Sequence, residues 1–394
     1  MEGLSLEYYP FKTQVMKIGI EAQRVFRTKK HGMDMVALEL IKNLQIIDKE
    51  NQYVVFVKPD TDRECIPDSP NFKIVELKGG PYPTWEQFAL GRAASKEGCQ
   101  ILHCTSNTAP VKCKIPLIIT LHDIIYLESI SLFKKSGTWY QKLGNMYRRF
   151  VVPAVAKRSS RVVTVSNFEK ERIRSFMGLK DNLVAIYNGV GSHFTKINDA
   201  KILARAKSKY NLPDNFLFFL GNTDPKKNTP NVLKAFATFN ANSEVKYKLV
   251  MLDFGESALM QILNEIGSPQ IRGDIQLTGY VPNGELPAII NQCKVFLYPS
   301  LRESFGIPIL EGMACGVPVI TSTTSSMPEV AGDAALLVNP ENSLEIADAI
   351  SRILSDNQLR ESLCQKGIER ASHFSWREMA KNYLELYKSV IKEL

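Results

Sequence analysis

Residues 303–311 read ESFGIPILE, and GMACGVPVITST follows through residue 323. The stretch spells a loop carrying one carboxylate, then a short helix, then a buried strand. Pro308 suits the first helical position, where its missing N–H has no partner to lose. Gly316 suits the left-handed position past the helix end, and Pro318 stops any continuation. About two turns of helix remain, at ~1.5 Å per residue, with Glu311 near their start. The amino end of such a helix offers free N–H groups and the positive end of its dipole, which together make an anion site. Glu303 lies just outside that site and Glu311 just inside it.

A carboxylate repels phosphate but accepts hydrogen bonds well from sugar hydroxyls. The stretch therefore fits a ligand that is anionic in the middle and hydroxyl-rich at both ends. A nucleotide-sugar has that order: hexose, diphosphate, ribose. A helix with Glu in its first turn for dipole reasons alone would read the same in isolation. The glycine and proline punctuation, and the position after a buried strand, favour the ligand.

Outward from this stretch the chain repeats one rhythm. In the first half, apolar strands are expected at Lys17–Ala22, Tyr53–Lys58, Lys73–Leu77, Ile101–Cys104, Leu117–His122, Arg161–Val165 and Val184–Ile186. Helical periodicity falls at Met33–Ile47, Thr84–Lys96, Ser136–Lys157 and Asn167–Phe176. The strands are continuously apolar rather than alternating, as expected when both sheet faces are covered. The pattern restarts near Asn211–Asp214. Strands follow at Phe216–Leu220, Lys248–Leu252, Ile275–Thr278, Val295–Tyr298, Val317–Thr321 and Ala335–Val338, with helices at Pro230–Asn240, Ser257–Ile266 and Asn283–Asn291. The chain closes on an amphipathic helix, Trp376–Glu393. A β-α rhythm means an α/β fold of parallel, doubly wound sheets, here two Rossmann-like halves joined near residues 191–212. Ligands of such sheets sit at the carboxyl ends of the strands, so the expected site is an interdomain cleft.

The 394 residues suit two domains rather than one. With 44% hydrophobic and 23% charged residues the composition is that of a globular protein, and no apolar run is long enough to span a membrane. Residues 1–15, MEGLSLEYYPFKTQV, lack a basic start and an apolar core, and read as an extension with little structure rather than a secretory signal. The seven cysteines form no C-x-x-C pair and no zinc-spaced cluster, which points to reduced thiols in a cytoplasmic protein. No metal and no cofactor is expected. Residues 1–190 hold 28 Lys and Arg against 19 Asp and Glu, a net +9 of the chain's +8, while the rest nets −1. Lys134, Lys135, Lys142, Arg148, Arg149, Lys157, Arg158 and Arg161 concentrate that excess. An anionic partner of the first half follows: membrane headgroups, a diphosphate-linked lipid or an acidic glycan. A solvated helix face is the competing reading, and no nucleic-acid motif accompanies the charge.

Further stretches end strands. Gly221–Asn228, GNTDPKKN, sits between a strand and a helix, where phosphate-binding loops occur; Lys226 and Lys227 can meet a diphosphate as point charges. Gly279–Pro282 reads GYVP, His122–Asp123 ends LIITLHD, and Gly32 opens the first helix in KKHGMDM. His122 can hydrogen-bond a sugar hydroxyl or be a satisfied core histidine; Asp123 suits a cap on the next segment. Asp60-x-Asp62 mimics a metal-binding D-x-D but reads as a solvated loop.

The Glu-x7-Glu spacing, with S-F-G after the first Glu and E-G-M-A-C-G-V-P-V-I behind, resembles the signature of family 4 retaining glycosyltransferases over roughly residues 16–390. The resemblance implies the GT-B architecture: an acceptor domain over 16–195, a nucleotide-sugar donor domain over 196–375, and a terminal helix, 376–394, packing back on the first. It implies that Glu311 holds the ribose, and that Glu303 with the backbone of Phe305, Gly306 and Ile307 holds the sugar. Lys227 meets the distal phosphate, with Lys226 as a helper. Gly221 and Asn222 line the same loop, Asn222 standing where many members carry Arg. Tyr280 or Val281 packs on the base, His122 faces the sugar, and Gly32 lies near the phosphate, although the family has a glycine pair there. Catalysis then rests on Glu303, His122 and Lys227, without metal. The neighbourhood looks most like bacterial surface-polysaccharide mannosyltransferases, which points to GDP-mannose as donor, with uridine or thymidine diphosphate sugars left open, and to a glycan or lipid-linked glycan as acceptor, at the cytoplasm or inner membrane face. A sugar-nucleotide epimerase or a two-lobed sugar- or nucleotide-binding protein shares the architecture. The first lacks this Glu pair and the second needs a secretion signal.

Overall fold

The computed structural model describes residues 15–128, 139–179 and 181–394. The extension expected over residues 1–15 falls, apart from Val15, outside the described residues, as do Lys134 and Lys135 and the side chain of Lys142.

Two parallel sheets carry the chain. Strands β1 (Lys17–Glu21), β2 (Gln52–Val57), β3 (Phe72–Glu76), β4 (Ile101–Cys104), β5 (Leu117–Thr120), β6 (Arg161–Thr164) and β7 (Leu183–Ala185) form a seven-stranded sheet in the order β3-β2-β1-β4-β5-β6-β7. Strands β8 (Phe216–Phe219), β9 (Lys248–Met251), β10 (Ile275–Leu277), β11 (Val295–Tyr298), β12 (Val319–Ser322) and β13 (Leu336–Val338) form the second, ordered β10-β9-β8-β11-β12-β13. The expected strands appear within two residues at each end: β5 stops at Thr120 rather than His122, and β12 starts at Val319 rather than Val317. In both sheets the order reverses beside the first strand, between β1 and β4 and between β8 and β11. Ligands of doubly wound sheets bind at this reversal, where the two flanking loops diverge.

Contacts divide the chain into two compact units, residues 1–121, 126–162 and 383–394 in one, 122–125 and 163–382 in the other. The division falls inside β6, earlier than the boundary expected near residue 195, and takes the terminal helix (Trp376–Lys392) into the first unit only from Tyr383 onward.

In the first unit β1, β2, β4 and β5 are almost wholly buried. Gly19 packs closely there: a Cβ would sit 3.1 Å from Leu102 Cδ1 and 3.2 Å from Phe56 Cε2, so these side chains would have to give way. Buried His103 joins the terminal helix to the sheet, Nδ1 lying 2.7 Å from the Tyr387 hydroxyl and Nε2 2.8 Å from Thr120 Oγ1. The Tyr383 hydroxyl lies 2.9 Å from the same Thr120 oxygen. The helix expected over Thr84–Lys96 is a composite, with a π-helical turn at Trp85–Leu90. That turn delivers Glu86 to the Tyr82 hydroxyl at 2.5 Å and the Tyr147 hydroxyl at 2.6 Å. Several cations of the basic cluster serve this unit internally. Arg149 Nε donates to Tyr126 O at 3.2 Å, Arg158 Nη2 donates to Cys113 O at 2.6 Å, and Arg161 pairs with Glu393.

The second unit holds helices not expected from periodicity: Ala200–Tyr210, Ser343–Ser355 and Asn357–Ser372. Each has an acidic or amide cap: Asp199, Asn342 and Asp356 accept from backbone amides of their first turns.

Candidate active site

The loops leaving β8 and β11 face each other, because these strands are neighbours and run in parallel. The β8 loop begins at Gly221, whose missing Cβ makes room for the Phe219 ring; a Cβ there would lie 2.1 Å from its Cε1. A short 3-10 turn, Pro225–Lys227, follows, capped by Asp224. Asn228 closes it in the left-handed region at φ 61°. Buried Asn228 then donates its amide to Pro299 O at 3.0 Å and Pro340 O at 2.6 Å. These bonds tie the β8 loop to the ends of β11 and β13, as does the one from Leu301 N to Lys226 O at 2.7 Å.

Lys227 is thereby aimed at the β11 loop. Its Nζ donates to Glu303 Oε1 and to the Tyr298 hydroxyl, both at 2.7 Å, and lies 4.7 Å from the Tyr298 ring centroid. Both members of the ion pair are largely shielded, with 16% and 11% of their side-chain surface exposed. Burial and the neighbouring Glu303 charge raise the Tyr298 hydroxyl well above its usual range, so it meets Lys227 as a neutral phenol.

Glu303 itself is held by its backbone. Its N–H donates to Ser325 Oγ at 3.0 Å, and its carbonyl accepts from Ser326 Oγ at 2.9 Å, which also donates to Phe305 O at 3.0 Å. Gly306 then turns at φ 96° into the helix Ile307–Ala314. The helix begins one residue before Pro308, so the proline occupies the second position rather than the first. It ends as expected, with Gly316 left-handed at φ 71°. Among the described residues the amides of Phe305, Gly306 and Ile307 have no hydrogen-bond partner, which leaves the amino end of the helix open to an anion.

Glu311 lies one turn into this helix. It retains some exposure, yet desolvation pushes its carboxyl up to about 7. Among the described residues its carboxylate makes no hydrogen bond or ion pair. A half-shielded acid with no partner is suited to receive one from a ligand.

The remaining expected residues scatter. Lys226 is more exposed than Lys227 and lies 3.8 Å from Asp224. Exposed Asn222 accepts from Asp224 N at 2.8 Å through Oδ1. Tyr280 is 66% exposed, whereas Val281 and the Phe305 ring belong to the apolar core. His122 is buried two residues past β5, and Asp123 accepts from Ile125 N at 3.2 Å, as a cap should. Gly32 opens the helix Gly32–Ile47 in the first unit, with nothing within 4 Å of where a Cβ would stand. Asp62 pairs with Lys30. Sequence reading missed Tyr298, Ser325 and Ser326. The serines lie some twenty positions from Glu303, and only the β11–β12 pairing brings them back to it.

Two family models match the chain in succession: Glycosyltransferase Family 4 over residues 31–193 and Glycosyl transferases group 1 over residues 201–370. The O-antigen chain mannosyltransferase B of Escherichia coli is 33% identical over 231 residues, 58% of this chain and 60% of that one. The serotype-specific mannosyltransferase WbdA of Escherichia coli is 27% identical over 252 residues, 62% of this chain and 31% of that one. The chain thus spans less than two thirds of the length of either relative. Among solved structures, sucrose-phosphate synthase from Thermosynechococcus elongatus aligns with a TM-score of 0.75 at 18% identity, covering 96% of this chain and all of that one. Anabaena Alr3699/HepE in complex with UDP-glucose aligns with a TM-score of 0.74 at 17% identity, covering 95% of this chain and all of the other. These likenesses show the GT-B fold.

Proposed function

The chain belongs to the family 4 glycosyltransferases, and from that premise we propose that it transfers mannose from GDP-mannose, with retention of configuration, to a growing surface glycan. The observation that carries the reading is the open amide cap at Phe305–Ile307 with Lys227 and Glu303 beside it and Glu311 one turn behind. The diphosphate docks on the cap and on Lys227. The hexose hydroxyls bind Glu303 and the amides, and the ribose hydroxyls bind Glu311. As the bond to the sugar breaks, negative charge grows on the leaving diphosphate. The amides and the ammonium stabilise that charge where it develops, in a site already ordered to receive it. His122 faces the sugar.

Mannose is favoured because the two matched Escherichia coli relatives are named mannosyltransferases. The acceptor we propose is a glycan or lipid-linked glycan, presented in the cytoplasm at the inner membrane face. The basic balance of residues 1–190 supports an anionic acceptor or membrane surface there. Among the described residues no helix is long and apolar enough to cross a membrane.

The test is transfer from GDP-mannose to a mannose-terminated oligosaccharide, with the new linkage read by the one-bond C–H coupling at the anomeric carbon. An α-mannoside is expected. A β-mannoside refutes retention. Transfer from UDP- or dTDP-sugars alone refutes the donor, and no transfer from any of these refutes the reading.

A further inference from the structure

Glu303 sits in a loop, yet both of its chain neighbours are gripped by one helical turn. Arg302 brings a guanidinium nitrogen to 2.8 Å from Glu169 Oε1, a carboxylate with no exposed surface. The same guanidinium lies 4.6 Å over the Phe168 ring. On the other side, Ser304 O accepts from Ser166 Oγ at 2.7 Å. Ser166 and Glu169 are the cap and third residue of the helix Asn167–Met177, and all of these residues lie in the unit 163–382.

That turn is anchored in its own right. Ser166 Oγ accepts from Glu169 N at 3.2 Å, so the oxygen that grips Ser304 also caps the helix. The two other amides at the helix start donate to Glu329: Asn167 N at 2.8 Å and Phe168 N at 2.9 Å. Glu329 Oε1 also accepts from the Tyr187 hydroxyl at 2.6 Å. Arg370 fixes the segment carrying Glu329 by donating to the carbonyls of Glu329 at 2.6 Å and Val330 at 3.0 Å. The carboxylate of Glu329 satisfies the helix start as an N-terminal anion should.

Resting on the reading that Glu303 holds the donor sugar, we infer that Ser166 and Glu169 are positioning residues for Glu303, with Glu329 anchoring the turn that carries them. A loop carboxylate owes its place to its supporting shell, and a misplacement of about 1 Å can lower turnover about a hundredfold. A buried ion pair such as Arg302–Glu169 adds little net stability after desolvation, but fixes where its partners sit.

The test is a double-mutant cycle with GDP-mannose as donor. Ser166→Ala and Glu169→Gln should each lower kcat about tenfold or more, with KM for GDP-mannose changed less than about threefold. Ser166→Thr, which restores both bonds of the hydroxyl, should recover kcat. In a Glu303→Gln background the first two substitutions should lower kcat no further, because they act through a group already removed. Full additivity there, or an unchanged kcat in the single variants, overturns the inference. If Glu169→Gln does not fold, Ser166→Ala carries the cycle alone. A second readout needs no turnover: amide exchange in residues 301–306 should quicken in Ser166→Ala while β11 keeps its protection, and unchanged exchange in that loop overturns the inference. If the wild type transfers no sugar but exchange quickens as expected, the transfer reading fails and the positioning of the loop stands.

Discussion

Lys227 Nζ lies 2.7 Å from Glu303 Oε1, so the cation expected at the phosphate and the carboxylate expected at the sugar are already partners. The two groups come from loops after β8 and β11, neighbouring strands whose side-by-side pairing sets the distance. On the proposed reading, a diphosphate entering this site would compete for the ammonium and free Glu303 for the hexose, so that donor arrival and the readiness of Glu303 would be one event.

This exchange separates the roles of the pair. Glu303→Ala should lower kcat at least about a hundredfold, with GDP binding unchanged or tighter, because the freed ammonium stays over Tyr298. Lys227→Ala should weaken GDP binding and turnover together, by about tenfold or more each. Calorimetry with GDP and steady-state rates with GDP-mannose read both. Loss of GDP binding in Glu303→Ala would reverse the assignment.

Gly306 opens the helix at φ 96°, a region that side chains avoid. A Cβ there would lie 3.0 Å from Ile309 Cδ1. Gly306→Ala should cost about 1–3 kcal/mol of stability and weaken GDP binding about tenfold or more by turning the amide cap. Denaturant melts and calorimetry check the two effects, and unchanged GDP affinity would separate the cap from the phosphate.

Glu311 supplies a pH signature. Desolvation pushes its carboxyl up to about 7 in the free protein. On the proposed reading, a ribose hydroxyl donating to the ionised form would lower that value in the complex, and binding would release a proton. Affinity for GDP should therefore rise with pH through the window below and around 7, by about tenfold between pH 6 and pH 8, then level off. Glu311→Gln should flatten the rise. Calorimetry in buffers of different ionisation heat measures both the affinity and the proton released.

Glu21, buried at the end of β1, offers a stability test in the first unit. Burial, aided by the Glu86 charge, pushes its carboxyl up to about 7 from 4.5. The folded state then binds the proton more tightly than the unfolded chain. Stability from this group is present at low pH and is lost as pH rises from 4.5 to about 7, by roughly 3 kcal/mol in all. The difference in unfolding free energy between wild type and Glu21→Gln should shift by about that amount between pH 5 and pH 8. A constant difference would place the Glu21 proton elsewhere.

Periodicity and punctuation make much of the fold legible in the sequence. Continuous apolar runs such as Phe216–Phe219 and Val295–Tyr298 announce buried parallel strands, and Gly306, Pro308 and Gly316 bracket a helix by backbone constraint alone. The helix Ser343–Ser355 was legible, since Ile346, Ile350 and Ile353 form an apolar stripe behind the Asn342 cap, whereas Asn357–Ser372 buries only Leu363, Gly367 and Ala371 and announces itself mainly by its Asp356 cap. The shell around Glu303 was out of reach for another reason. Ser166, Glu169, Ser325 and Glu329 meet it only after the chain has folded back, and no local spacing records those encounters.

On the proposed reading a nucleotide-sugar diphosphate rests on the amide cap at Ile307 and on Lys227, and a thermal-shift titration with GDP-mannose puts that to the test. At a hundred times the dissociation constant the wild type should gain about 2.7 kcal/mol, and Lys227→Ala should gain far less at the same concentration. No stabilisation of the wild type by GDP-mannose or any other nucleoside-diphosphate sugar, or equal stabilisation of both proteins, would contradict it.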